Sequence, residues 1–185
     1  EIFIVFCDPL LFPVVLIAEN QVGYQNLMWL SSAKMTAKAE DMTFAMIVDH
    51  LAGINVILPE DSELTQLIAS AYDDTSTYWQ ELVSQINSKS LYIGINPALA
   101  PQIKARLAAF GEDNQAKLIA LDNINYLNPE DAFTTQVLKA IDVNVKLEDI
   151  RTLSQKLGTH VLNDFDTVRT AYLASDVLKA AYLNN

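Results

Sequence analysis

The sequence is poor in the residues that build disulfides, flexible tracts and nucleic-acid surfaces. Its 185 residues include a single cysteine, Cys7, so no internal disulfide can form, which is typical of a protein of the reducing cytoplasm. The 5 glycines and 6 prolines are scattered, and no flexible linker or internal repeat is visible. Only 12 Lys and Arg stand against 23 Asp and Glu, and no two basic residues are adjacent. The formal net charge of −11 would repel a phosphate backbone, so we expect little direct DNA binding.

Long hydrophobic runs are also missing. The longest nearly uninterrupted apolar stretch, residues 9–18, is about half of the roughly 20 residues that a membrane-spanning helix needs, and it contains two prolines. We therefore expect a soluble, cytoplasmic protein with no membrane segment. The sequence starts at Glu1 and shows no signal-peptide pattern, which indicates a trimmed chain or one that begins within a longer reading frame. Hydrophobic residues make up 51% of the chain, enough for one domain with a real core.

Motifs of well-known enzymes are absent. The sequence has no P-loop, no Rossmann glycine fingerprint, no Gly-x-Ser-x-Gly, no His-Glu-x-x-His and no Cys-x-x-Cys. The two histidines, His50 and His160, lie far apart, and surface or capping roles are favoured over a shared metal site. Acidic pairs such as Glu60 and Asp61 lie near predicted loops or helix starts, where solvation and helix-dipole roles explain them. The motif content therefore predicts no catalytic residue.

Apolar runs alternate with segments of helical periodicity. Helices of ten or more residues between strands predict βαβ units and a parallel α/β sheet or barrel. A closed barrel of eight such units needs about 250 residues, so a barrel here would be partial. We predict strands at 2–6, 13–18, 54–58, 90–95 and 117–121. We predict helices at 20–34, 42–51, twice within 61–87, at 98–110, after 128–131, at 165–173 and at 177–183.

Caps and apolar faces refine these helices. Asn128 is expected to cap the helix that Pro129 opens, Asn163 or Asp164 the next one, and Ser175 the last one, while Gly111 is expected to stop the helix at 98–110. The aromatic residues of these helices are expected to pack rather than to stack on nucleic-acid bases. The predicted inward positions are Tyr24, Leu27, Met28 and Ser31 in the first helix, and Phe133, Val137, Leu138 and Ile141 in the helix after 128–131.

One segment beyond a buried strand carries a resemblance. Residues 120–126 (Ala-Leu-Asp-Asn-Ile-Asn-Tyr), the turn 127–131 (Leu-Asn-Pro-Glu-Asp) and Leu-Lys-Ala-Ile at 138–141 follow one another in this order, with Lys-Leu-Glu-Asp at 146–149 after them. They resemble the polymerase-and-histidinol-phosphatase (PHP) domain of bacterial DNA polymerase III alpha subunits. In that family a strand delivers Ala-Thr-x-Asp-Val-His-Tyr before a turn similar to Leu-x-Pro-Glu-Asp and a helix that ends in Leu-x-Ala-Ile.

Upstream segments extend the resemblance over nearly the whole chain. Val-Leu-Ile-Ala at 15–18, with Asn20 and Gly-Tyr-Gln-Asn-Leu-Met at 23–28, is similar to the family's Leu-Leu-Ala-x-Asn-x-x-Gly-Tyr-x-Asn-Leu. Gly-Ile-Asn-Val-Ile at 53–57 resembles its Gly-Leu-Ile-x-Leu strand, and 91–93 resembles the strand after that. The tail at 162–183 is similar to the helices that follow the domain. The order and spacing of these segments make the match specific.

The sequence departs from the family at its metal ligands. The family's strand-end Asp and His fall on Asn123 and Asn125, and amide oxygens are weak, neutral ligands for zinc-like metals. At the family's Ser-Gly stand Leu58 and Pro59. The N-terminal His-x-His is missing, because the chain aligns from about the family's third strand. The resemblance therefore implies a degenerate centre, with no catalytic, cofactor-binding or metal-ligating residue in this chain.

The resemblance implies a fold, a domain layout and a function. The expected fold is a partial (β/α) barrel of the PHP type that lacks its N-terminal strands, with a PHP-like domain at 1–145 and a helical segment at 146–185. The expected role is a structural or interaction domain of a replicative polymerase, whose magnesium is held by a downstream catalytic domain and not by this chain. Expected partners are the other polymerase domains and replisome proteins, with self-association through the truncated edge of the barrel. The alternatives are a metal-dependent PHP-type phosphoesterase or proofreading nuclease, and a free-standing α/β protein-binding module.

Overall fold

The structure is a computed structural model and describes residues 2–7, 12–36, 44–72, 74–86, 88–142 and 161–184. These residues form a mixed α/β arrangement around a five-stranded sheet with the order β1-β2-β3-β4-β5. The strands are β1 (Ile2–Cys7), β2 (Phe12–Ala18), β3 (Ile54–Leu58), β4 (Leu91–Ile95) and β5 (Lys117–Ala120). The helices are α1 (Gln21–Thr36), α2 (Phe44–Val48), α3 (Glu63–Ser70), α4 (Thr75–Gln85), α5 (Pro101–Asn114), α6 (Ala132–Asp142), α7 (Phe165–Tyr172) and α8 (Asp176–Leu183).

The pairing of the first two strands differs from the prediction, because β2 runs opposite to the other four strands. β1 pairs with β2, and β2 with β3, in antiparallel fashion, so the prediction of a parallel sheet is wrong for this half. Residues 8–11, which join β1 to β2, are too few for the crossover of a dozen or more residues that a parallel pair needs. Ala18 at the end of β2 pairs with Ile54 at the start of β3. The chain from β2 to β3 therefore leaves and re-enters the sheet at the same edge.

The second half of the sheet follows the βαβ prediction. β3, β4 and β5 are parallel, with α3 and α4 between the first two strands and α5 between the last two. β3 and β4 each have one half-buried position among buried ones, the pattern of strands covered on both faces. Their side chains, with those of the flanking helices, form one apolar core that includes Leu16, Leu27, Leu30, Ile54, Val56, Leu64, Leu91, Ile93, Ile95 and Leu107.

The last two helices belong to this core. Tyr172 of α7 and Leu178 and Ala181 of α8 are buried within the same cluster as the strands. The Asn184 amide donates to the carbonyl oxygen of Leu118 in β5 at 2.8 Å, which fixes the end of α8 to the edge strand. The division of the chain at residue 145 stays a prediction, but the helices after it pack on the sheet.

A tight junction joins α1 to the turn before β3. Asn20 caps α1, because its side-chain oxygen accepts the N–H groups of Val22 at 3.0 Å and Gly23 at 3.1 Å. The Asn26 amide donates to Ala52 O at 2.9 Å, and Gly53 has a positive φ of 72°. These residues are the Asn-x-x-Gly-Tyr-x-Asn segment and the glycine that precedes β3, so the sequence pattern there is explained by the contact between the two turns.

The predicted caps of the C-terminal helices are confirmed. Asp164 accepts from the Thr167 N–H at 2.9 Å and caps α7, and Ser175 accepts from the Leu178 N–H at 3.3 Å and caps α8. Before α6, Asn128 N–H donates to the Asp131 carboxylate at 3.3 Å around a short 3-10 turn, Pro129–Asp131, that Pro129 opens. Local chemistry therefore sets these boundaries.

Several other predictions for the helices are wrong. Gly111 does not stop α5, which continues to Asn114 and ends on Gln115 in the left-handed conformation. In α1 the buried positions are Gly23, Leu27 and Leu30, while Tyr24 and Met28 are exposed, because the contact with Gly53 rotates the Gly23 face inward. The predicted inward residues of α6 include Phe133, Leu138 and Ile141, which are exposed by 53%, 61% and 70%. Within the described part of the chain, the main contacts of α6 are with the turn before it, and these contacts leave the three side chains exposed.

No helix in the described part of the chain is both long and apolar enough to cross a membrane.

Candidate functional site

The carboxyl ends of β3, β4 and β5 lie at one edge of the sheet, because the three strands are parallel. In α/β folds this edge is where ligands bind. Polar side chains follow each strand: Glu60 after β3, Asn96 after β4 and Asp122 after β5. With Tyr172 from α7 they form what we call the strand-end cluster.

Asn96 connects the ends of β3 and β4. It is 8% exposed, and its amide donates to the Glu60 carboxylate at 2.6 Å. Its side-chain oxygen accepts the N–H of Leu99 at 3.1 Å, which holds the turn after β4. A buried amide with both of its ends bonded stabilises its surroundings, whereas an unpaired one would cost about 1–3 kcal/mol. Asn96 therefore acts as a cross-link between two strand ends.

Tyr172 connects the ends of β4 and β5 to α7. Its side chain is 2% exposed, and its hydroxyl donates to the carbonyl oxygen of Ile95, the last residue of β4, at 3.3 Å. The same hydroxyl interacts with the Asp122 carboxylate. Its ring stacks on Tyr182 of α8 with centroids 5.8 Å apart. The hydroxyl thus reaches the edge of the sheet from a helix far along the chain.

The electrostatics of the cluster keep this hydroxyl protonated. Burial raises the pKa of Tyr172 well above its usual range, and the charge of Asp122, the hydrogen bond to it and the charge of Glu60 raise that pKa further. A neutral phenol is therefore a hydrogen-bond donor here at every physiological pH. It is not a general base.

Asn123 and Asn125 lie in the loop directly after β5, and both are exposed. The loop is held at its far end, where Leu162 N–H donates to Tyr126 O at 2.9 Å within a parallel bridge of Tyr126 to Val161. Of the residues after β5, Leu121 contacts the Tyr172 hydroxyl through its backbone and Asp122 through its carboxylate. The two asparagines stay predicted as degenerate ligand positions.

Among the other sequence candidates, the described ones pack in the core or bond to the neighbouring backbone. Leu58 is buried as the last residue of β3, and Pro59 offers its carbonyl oxygen to the Thr65 hydroxyl at 3.0 Å. His50 follows α2, its ring stacks on Trp29 with centroids 3.6 Å apart, and its Nδ1–H donates to Met46 O at 2.9 Å. His160 lies outside the described residues.

A metal site is not formed by the part of the chain that the structure describes. No group of three or more His, Cys, Asp or Glu side chains there is arranged to hold an ion. The two carboxylates of the strand-end cluster, Glu60 and Asp122, bond to Asn96 and Tyr172 instead. What this arrangement can do chemically is to hold three strand ends and a helix together through hydrogen bonds.

Sequence reasoning pointed to the loop after β5 and missed most of the cluster. The acidic-pair pattern predicts a solvation or helix-dipole role for Glu60, and no sequence pattern connects Asn96 or Tyr172 with it. Asn96 is 36 residues from Glu60, and Tyr172 is 77 residues from Ile95. One signal is present in the sequence: a polar residue follows each of two buried strands within two positions, Glu60 after β3 and Asn96 after β4. Such residues mark the carboxyl edge of a parallel sheet.

Comparison with known proteins finds a distant relative. No model of a known protein family matches the chain. A DNA polymerase III subunit alpha from Bacillus subtilis (strain 168) is 24% identical over 141 residues. The match covers 75% of this chain and 13% of that protein. The chain therefore corresponds to a small part of the length of its relative.

Proposed function

We propose that this chain is a degenerate PHP domain of a replicative DNA polymerase III alpha subunit, with a structural or interaction role in DNA replication. The observation that carries the proposal is the similarity over 141 residues to a DNA polymerase III subunit alpha. The family-like segments at residues 15–28, 53–57 and 120–141 support it, because each of them includes a strand end or a turn of the fold. The mixed sheet then represents part of a PHP-type barrel.

The strand-end cluster supports a structural rather than a hydrolytic role. A phosphoesterase centre needs imidazole and carboxylate ligands open to a metal, whereas Asn123 and Asn125 offer neutral amides. Glu60 is bonded to Asn96, and Asp122 to Tyr172. We infer that these hydrogen bonds hold the strand ends in the way that a bound metal would hold them in a competent relative.

The activity belongs to the whole polymerase in this proposal. Template-directed addition of deoxynucleotides takes place in a downstream catalytic domain, whose aspartates hold magnesium. This chain contributes contacts with the other domains of the subunit and with replisome proteins, and it works in the cytoplasm. The chain itself needs no cofactor.

The test has two parts. The complete reading frame that contains this sequence is expressed and assayed for template-directed incorporation of deoxynucleotides, which we expect to find. The 185-residue chain is purified without chelator, analysed for Zn, Mn and Fe, and assayed with p-nitrophenyl phosphate and 3′-labelled single-stranded DNA. We expect no stoichiometric metal, no hydrolysis and the same melting temperature with and without EDTA.

Each alternative has its own signature in this test. Two or three equivalents of a transition metal, with hydrolysis that Asn123→Ala abolishes, would establish the PHP-type phosphoesterase or nuclease instead. A reading frame without polymerase activity and without metal would leave a free-standing protein-binding module. The variant Asn96→Ala is the structural control: we expect it to lower the melting temperature of the chain without changing its metal content.

A further inference from the structure

A groove lies between α5, the start of β5 and α8, at the outer edge of the sheet. Its volume is about 530 Å³, within the range of about 300–1,000 Å³ that is typical of ligand sites. The side chains of its floor are apolar and mostly short, so a partner can approach the backbone closely. They are Ala108, Gly111, Ala116, Leu118, Val177 and Ala180.

The walls of the groove carry negative charge. Glu112 stands in the last turn of α5, and Asp176 in the first turn of α8. The carboxyl end of a helix carries a partial negative charge, and the last turn of α5 contains no basic residue that would compensate it. Glu112 is therefore unfavourable for α5 alone. Its charge adds to the helix dipole and makes the groove attractive to a cation.

The basic residue in the lining, Lys117, does not neutralise the groove. Its ammonium group donates to the carbonyl oxygen of Lys89 at 3.1 Å and lies 5.3 Å from the ring centroid of Tyr92. Both partners belong to the β4 side of β5, away from α8. Asn184, on the α8 side, uses its amide to bond Leu118 O. The two carboxylates of the groove therefore outnumber its one cation, whose ammonium group lies on the β4 side.

From this geometry we propose that the groove binds an arginine or lysine side chain, presented by an extended segment of a partner protein. The hydrocarbon stem of such a side chain lies on the apolar floor, and its charged head lies between the carboxylates of Glu112 and Asp176. An apolar surface with acidic walls matches the two parts of a basic side chain. This inference does not depend on the proposed function, because it uses the groove alone.

The test starts from an unbiased set of peptides and the complete 185-residue chain. A displayed library of random heptapeptides is selected on the immobilised chain, and enriched peptides are synthesised with a fluorescent label. For each, a counterpart is made in which citrulline, neutral and of similar length, replaces the arginine, or glutamine replaces the lysine. Dissociation constants are measured by anisotropy at two salt concentrations, and circular dichroism checks the folding of every variant.

We expect peptides with one basic residue flanked by small ones, and affinities that fall with salt. Glu112→Gln combined with Asp176→Asn should weaken binding about tenfold, as two partly exposed charge pairs would. Ala180→Phe, which fills the groove and keeps its charge, should weaken binding as well. The matched control is Glu81→Gln combined with Glu130→Gln, which removes two exposed acids elsewhere and should leave the dissociation constant unchanged.

Three outcomes would overturn the proposal. The first is that no peptide is enriched over an uncoated surface. The second is that the citrulline or glutamine counterpart binds equally well. The third is that the control pair weakens binding as much as the groove pair, which would mean general attraction to a chain of net charge −11. None of these outcomes bears on polymerase activity, so failure here is distinguishable from failure of the proposed function.

Discussion

Gly23 and Gly53 meet backbone to backbone where α1 begins, and this contact tolerates no side chain. A Cβ atom at Gly23 would lie 1.8 Å from the carbonyl oxygen of Gly53. A Cβ atom at Gly53 would lie 2.4 Å from Asn20 Oδ1 and 2.8 Å from Gly23 N, and the φ of 72° would add strain. Both positions clash with backbone atoms, which can separate only if the turns move, and the approach is closer at Gly23. Gly23 is therefore the stricter of the two positions.

We expect both Gly23→Ala and Gly53→Ala to lower the free energy of unfolding by about 1–3 kcal/mol, with Gly23→Ala the more severe. Urea denaturation of the purified variants measures the difference. Gly111→Ala is the comparison, because its Cβ would meet Ala116 O at 3.2 Å within a helix that gains up to about 1 kcal/mol from alanine. A loss at Gly111 equal to that at Gly23 would contradict the explanation by backbone contact.

A second single-residue prediction concerns the hydroxyl group of Tyr172. Tyr172→Phe removes the hydroxyl that donates to Ile95 O, while that carbonyl keeps the N–H of Leu121 at 3.0 Å. Since no buried acceptor is left unpaired, we expect a loss of about 0.5–1.5 kcal/mol at neutral pH, from chemical denaturation. Tyr72→Phe, at a residue that is 58% exposed, should change stability little.

The same variant should change how stability depends on alkaline pH. The pKa of Tyr172 is raised in the folded protein, whereas in the unfolded chain it lies near about 10. Above that pH the unfolded chain gives up a proton that the folded one keeps, so the wild type loses stability as the pH rises. Phenylalanine has no such proton. The stability gap between wild type and Tyr172→Phe should therefore narrow above pH 10, and a constant gap would contradict the buried-phenol description.

The caps of α7 and α8 can be compared directly, because one is a carboxylate and the other a hydroxyl. Asp164 caps α7, and its hydrogen bonds from the Thr167 hydroxyl and N–H lower the pKa of its carboxyl group. The stabilisation is present above the carboxyl pKa of the unfolded chain, about 3.9, and is lost as the pH falls through the lower folded value. Ser175 caps α8 through a hydroxyl that does not titrate.

Asp164→Ala should lower the melting temperature at pH 7 and should do so less and less as the pH drops below 4. Ser175→Ala should cost about 1 kcal/mol at both pH values, because its cap carries no charge. Thermal melts of the two variants at pH 7 and pH 3 decide the matter. If both variants respond to pH in the same way, the carboxylate of Asp164 is not the group that titrates.

A substitution at the end of α3 is expected to stabilise the protein. Ala71 terminates the helix in the left-handed conformation, with φ 55°, which glycine adopts at little cost. We expect Ala71→Gly to raise stability by about 0.5–1 kcal/mol. The same change two residues earlier, Ala69→Gly, lies inside α3 and should lower stability by about 1 kcal/mol. Urea denaturation measures the stability of both variants. A gain for Ala71→Gly together with a loss for Ala69→Gly would confirm that the backbone conformation decides the effect.

At this scale, sequence predicts what depends on neighbours along the chain. The caps at Asp164 and Ser175, and the strand at 54–58, follow from a few adjacent residues and are confirmed. The inward face of α6 depends on which element packs against it, and periodicity predicts burial for Phe133, Leu138 and Ile141, which are exposed in the described structure. Gly111 has the residue type of a helix stop, yet it packs beside Leu118 and the helix continues.

For the whole molecule the excess of acid dominates long-range behaviour. With a formal net charge of −11 the chain should show no saturable binding to duplex DNA near about 0.15 M salt. Fluorescence anisotropy with a labelled duplex measures this. Micromolar binding that weakens steeply with added salt would reveal a basic surface that the scattered lysines and arginines do not indicate.

The overall topology was predictable only in part. The βαβ half, β3 to β5, follows from strands separated by helices, whereas the antiparallel half depends on the short connection at 8–11 and on where Ala18 meets Ile54. The strand-end cluster joins residues from β3, β4, β5 and α7, and no local pattern relates Glu60 to Asn96 or Tyr172 to Ile95. The resemblance at 120–126 pointed to the sheet edge where the strand-end cluster lies, and the partners within the cluster follow from the fold.

The way in which α8 covers β5 has a consequence for the protein while it is being made. Leu118 O is bonded by Asn184, 66 residues later in the chain. A ribosome that adds about 5–20 residues per second needs about 3–13 s for that interval. During this time the outer carbonyl groups of β5 have emerged without the helix that covers them, and an uncovered strand edge can pair with another chain. Translation speed between residues 118 and 184 therefore sets how long each newly made molecule remains open to aggregation.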